Sequence, residues 1–73
     1  MSEVRVAIYP NEMEAQMWAG ILEKEGVRTM VKREVEGFPF FMHAAFVAHG
    51  LYVMEENIAH ARAIIKQVGG KGS

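Results

Sequence analysis

The chain has 73 residues, eight Lys and Arg against nine Asp and Glu for a formal net charge of −1, and no cysteine. That length encloses one small core and excludes a second domain. The near-neutral balance excludes a global field for nucleic-acid backbones, and the missing thiols exclude disulfides and thiolate metal sites.

The first element is a strand. In "VRVAIYP" Val4, Val6 and Ile8 alternate with Arg5, Ala7 and Tyr9, the period of two expected when one face meets a core. Pro10 ends it. The start "MSEVRVAIYP" has neither a basic leader nor a small-residue cleavage site, so the expected location is cytoplasmic.

Asn11, followed three residues later by Glu14, is a capping-box pattern and predicts a helix start. Met13, Met17, Trp18, Ile21 and Leu22 recur at helical spacing as its apolar stripe. Gly20 costs up to roughly 1 kcal/mol against Ala inside such a helix, which predicts close packing against another backbone. Gly26 supplies the left-handed cap.

"VRTMVKRE" predicts a second strand, with Val27, Thr29 and Val31 on one side and Arg28, Met30 and Lys32 on the other. "LYVME" is the third, Leu51 and Val53 inward. Asn57, or one of the two glutamates before it, then caps a second helix that buries Ile58, Ala61, Ile65 and Val68, with Ile64 widening the stripe. "GGKGS" is expected to be flexible, giving one domain over 1–69 and a tail over 70–73.

The order strand, helix, strand, strand, helix predicts an α+β fold. A strand–helix–strand crossover leaves space for a third strand antiparallel to the second. This β-α-β-β-α order is three quarters of a ferredoxin-like sheet, with two helices on one face and the fourth strand missing. The first strand is then an edge, with unpaired backbone groups. Chains below roughly 80 residues commonly need a staple or a partner, and with no cysteine available a homo-oligomer is expected. Edge-to-edge pairing and coverage of the edge by residues 37–50 are both remedies, and the residues leave both open.

That segment, "GFPFFMHAAFVAHG", holds all four phenylalanines and no Asp, Glu, Lys or Arg. Met42, Ala45, Phe46 and His49 fall at helical spacing within it. Its aromatic rings could complete the domain's own core. Two helices already cover one sheet face, however, and four buried phenylalanines at about 1.5–3 kcal/mol each are generous for so small a body. The competing reading makes Phe38, Phe40, Phe41, Met42 and Phe46 an interaction surface for another subunit, a protein partner or a small-molecule ligand. No apolar run reaches the roughly 18 residues of a spanning helix, and the loop lacks the basic flank that favours membrane contact.

"YPNEMEAQMWAGILEKEGVRTMVKRE" and "LYVMEENIAHARAIIKQ" together resemble the small bacterial domains described as prokaryotic signal-transducing proteins, whose fold lies near the PII-like, ferredoxin-like group. The resemblance covers about two thirds of the chain in two blocks, through the "NEMEAQ" helix start, the "LEKEGV" turn and the "LYV" strand. It implies a regulatory or signalling role and brings no catalytic residues.

Arg5, Arg28 and Lys32, if they share the outer sheet face, form a secondary anion site suited to a nucleotide phosphate, although no Gly-rich phosphate loop accompanies them. A solvated charged face is the plainer reading. His43, His49 and His60 raise a metal-dependent or small-enzyme alternative, but their spacing matches no familiar ligand set. Ser2 and Ser73 are terminal and Thr29 lies mid-strand, so no nucleophile sits in an activating setting. The six methionines are expected mainly in the core. The sequence thus predicts a non-catalytic binding module with no cofactor, no metal site and no nucleic-acid partner.

Overall fold

The computed structural model describes residues 2–34 and 48–70. The elements run β1 (Glu3–Tyr9), α1 (Glu12–Lys24), β2 (Thr29–Glu34), β3 (Ala48–Met54), a single 3-10 turn (Glu55–Asn57) and α2 (Ile58–Gly70). The fold is α+β. Its three-stranded sheet has the order β1-β3-β2, and β3 runs antiparallel to both neighbours. The third strand therefore inserts between the two joined through α1, as the crossover argument predicts.

Local chemistry sets the ends of α1. Asn11 Oδ1 accepts the backbone N–H of Glu14 at 2.8 Å, removing one orphan donor of the first turn. At the other end Gly26 adopts a φ of 84°. Its N–H donates to Glu23 O, while Val27 N–H donates to Leu22 O, both at 3.0 Å. These paired bonds form a Schellman close, and Leu22 and Val27 pack together in the core beneath it.

The core joins both helices to one sheet face. Ala19 and Leu22 of α1, Val27, Leu51 and Val53 of β3, and Ala61 and Ile64 of α2 form its buried cluster. Leu51 and Val53 point inward as predicted. Tyr9 stacks on Trp18 at the margin, with ring centroids 6.1 Å apart and planes 9° from parallel.

Several sequence expectations are corrected. β1 carries a bulge between Arg5 and Ala7. Val6 is the extra residue, so Val6 and Ala7 both pack toward the core and the alternation reverses beyond them. Tyr9 thereby turns inward, and Ile8 turns outward with 49% exposure.

The buried face of α1 is Ala15, Ala19 and Leu22, flanked by Trp18 and Ile21. Met13 is 83% exposed and Met17 is also exposed. At 3.6 residues per turn these two lie roughly 160–200° round the helix from Ala15. Alanines on the inner face let the helix axis approach the sheet, so the methionines are left outside. Gly20 is exposed with open space where a Cβ would stand, and no close backbone approach explains it among the described residues.

Val68 is exposed as well. A 3-10 turn with Met54 at its N-cap precedes α2, so Asn57 and the two glutamates before it lie within that turn. The helix continues through Gly69 and Gly70, which the sequence assigns to a flexible end. β3 begins three residues before "LYVME", and Ala48, His49 and Gly50 are strand. His49 is thus not part of a local helix.

Candidate functional site

The register of the three strands defines what stands on the sheet face opposite the helices. Arg5 and Met30 flank Tyr52, Ile8 and Lys32 flank Gly50, Glu3 lies beside Met54, and Glu34 lies beside Ala48. Leu51 and Val53 occupy the other face by alternation. The expectation that Arg5, Arg28 and Lys32 share one face therefore agrees with strand parity, with Arg28 just before β2.

These side chains form two links that run as parallel diagonals over β3, from β1 to β2. Lys32 Nζ passes over the ring of Tyr52, 4.7 Å from its centroid, and reaches Glu3 Oε1 at 2.6 Å. Arg5 Nη1 lies 3.7 Å from Glu34 Oε1, the same oxygen that accepts the Tyr52 hydroxyl. Gly50 makes the second link sterically feasible. A Cβ there would collide with Glu34 Oε1 and approach Tyr52 Cε1 to 2.9 Å and Arg5 Cδ to 3.1 Å.

Electrostatics follow these contacts. The hydrogen bond to Glu3 raises the Lys32 pKa above its ordinary value, against a smaller opposing effect of desolvation. The bond to Glu34 raises the Tyr52 phenol, because ionisation would forfeit that bond beside a carboxylate. Tyr9, on the other face, is raised chiefly by burial, with Glu14 adding repulsion.

Arg5 and Lys32 are each matched to a carboxylate, so an incoming anion would have to displace Glu34 or Glu3 from them. Arg28 has no ion pair among the described residues. It lines a hollow of about 210 Å³ with Glu3, Thr29, Met30, Tyr52, Val53 and Met54. The hollow mixes a guanidinium with thioethers and an aromatic ring, a lining able to receive a small ligand with an anionic end and an apolar body.

His49 lies on β3 between Tyr9 and Arg33. Its Nδ1 is buried without a hydrogen-bond partner, beside an open hollow lined by Glu12, Val31, Arg33 and His49. His60 is exposed on α2. The described residues contain no group of three or more His, Cys, Asp or Glu able to hold a metal ion. His43, together with Phe38, Phe40, Phe41, Met42 and Phe46, lies outside the described residues. No helix among the described residues is long and apolar enough to cross a membrane.

Sequence reasoning missed Tyr52, Glu3 and Gly50. The signal was the alternation of β3, which sets Tyr52 and Met54 opposite Leu51 and Val53. What period two lacks is the diagonal reach of Lys32 and Arg5 across neighbouring strands. No family model, curated protein or solved structure matches the chain.

Proposed function

We propose that the chain is a small regulatory binding module, cytoplasmic and without catalytic activity, that works in association with other copies of itself. Its ligand or protein partner meets the open sheet face, with Arg5 and Lys32 as its cations, and the apolar stretch of Phe38, Phe40, Phe41, Met42 and Phe46. The observation carrying this reading is that, among the described residues, helices cover the sheet on one face only. Both helices pack on one face, while the other presents Met30 at 46% exposure beside the exposed head groups of Arg5 and Lys32. A surface of aromatic, thioether and paired charged groups suits recognition, because each group contributes contact without demanding a reacting centre.

The insertion of β3 between β1 and β2 supports a ferredoxin-like arrangement short of its fourth strand. The regulatory role in this reading comes from the resemblance of the sequence to PII-like signal-transducing domains. Sedimentation at micromolar concentration tests the reading, with a dimer or larger species expected. Phe40→Ser and Phe46→Ser should weaken self-association or ligand binding more than stability. A monomer with phenylalanines shielded from solvent quenchers would overturn it. One metal ion per chain, lost when His43 and His49 are replaced, would favour a metal-dependent protein instead.

A further inference from the structure

Among the described residues the sheet has two edges, β1 and β2, and they differ in their fitness to receive another strand. β1 is interrupted by the bulge at Val6 and followed by Pro10, two devices that spoil a continuous ladder. β2 pairs with β3 through six successive residues without a register shift and contains no proline or glycine. Among the described residues no strand pairs with its other side, which is a regular row of backbone donors and acceptors.

We propose that β2 pairs antiparallel with β2 of a second copy, across a two-fold axis perpendicular to the sheet at Val31. This rests on the reading of the chain as a self-associating module and names the surface and the register. The choice of register follows from charge. In a pair related by such an axis, opposed residues must lie on the same face, so the axis passes through a residue position. Centring on Met30 sets Arg28 against Lys32. Centring on Lys32 or Arg33 sets a cation against its own copy. Like charges directly opposite are destabilising.

Centring on Val31 sets Val31 against Val31, Met30 against the stem of Lys32, Thr29 against Arg33, and Arg28 against Glu34, with the last three pairings occurring twice. The Arg28–Glu34 pairing is chemically open within the chain. Arg28 has no ion pair among the described residues, and both contacts of Glu34 fall on Oε1, so that Oε2 carries neither of them. The three described strands of each copy then join in one continuous sheet through the dimer, with their open faces on the same side.

Because the chain has no cysteine, single-cysteine variants report the register directly. Opposed Cα atoms in an antiparallel pair stand about 4.5–5.5 Å apart, within the span of a disulfide. Val31→Cys should give a disulfide-linked dimer under mild oxidation. Met30→Cys mixed with Lys32→Cys should give mainly the mixed dimer, and Ile8→Cys on β1 should give none above collision. Independently, Arg28→Glu and Glu34→Arg should each weaken the dimer by about tenfold, and mixing the two variants should restore it, since every crossing pair then regains opposite signs. A wild-type dimer whose Val31→Cys variant does not cross-link, and whose Arg28→Glu variant associates normally, overturns the β2 pairing and leaves the association reading standing. A wild-type monomer at 100 times the concentration of the assay, about 100 µM on the scale of weak contacts, overturns both.

Discussion

Tyr52 donates its hydroxyl to Glu34 above Gly50, the residue that separates their two rows on the sheet. The contact exists because the intervening position has no side chain, and the carboxylate it engages is shared with Arg5.

Glu34→Gln should therefore return the Tyr52 phenol toward its ordinary pKa of 10.0, read by ultraviolet titration of the folded protein. Gly50→Ala should do the same by driving the Glu34 carboxylate aside. Titration of Tyr52 unchanged in both variants would mean that the contact is not maintained in solution.

The protein should lose stability in alkali. Tyr9, Tyr52 and Lys32 all have folded-state pKa values raised above their ordinary ones, so each holds its proton more tightly folded than unfolded. That contribution is fully present below the unfolded value, 10.0 for the tyrosines. It disappears as pH rises through the higher folded values. Denaturant midpoints measured on either side of pH 10.0 should fall with rising pH; a midpoint that climbs there would contradict the assignments.

Gly20→Ala should stabilise the fold by about 0.5–1 kcal/mol, because the position is exposed, helical and open where the methyl group would stand. Gly26→Ala should act oppositely, costing about 1 kcal/mol, since its φ of 84° suits a residue without a Cβ. Thermal melts of the two variants side by side should diverge in sign.

Asn11→Ala should cost about 1 kcal/mol through loss of the bond to Glu14 N–H. Asn11→Asp, which retains the acceptor, should keep most of that stability, and equal loss in both variants would separate the effect from capping.

Leu51→Ala should be far more damaging, at about 2–5 kcal/mol, because Leu51 is fully buried in the central strand beneath both helices. A domain of this size has roughly 4–11 kcal/mol in total. The variant should show a broadened, early unfolding transition; an unchanged midpoint would place the core elsewhere.

Where the chain's own neighbours decide the outcome, the sequence was sufficient. Asn11 caps α1 with an acceptor three residues from its donor, Gly26 closes the helix by its own backbone freedom, and Leu51 and Val53 face inward by simple alternation. These interactions span a few residues, so their chemistry is written in consecutive letters. The bulge at Val6 belongs to a different order of cause. It is defined by pairing with β3, more than forty positions away, and it alone turns Ile8 out and Tyr9 in. Likewise Met13 and Met17 are exposed because the alanines of α1 take the face nearest the sheet, and the Lys32–Glu3 and Arg5–Glu34 links arise because β3 sets β1 and β2 two strand spacings apart. Periodicity can say that a residue has a partner face; only the packed sheet, by fixing register and separation between distant segments, determines which residue occupies it.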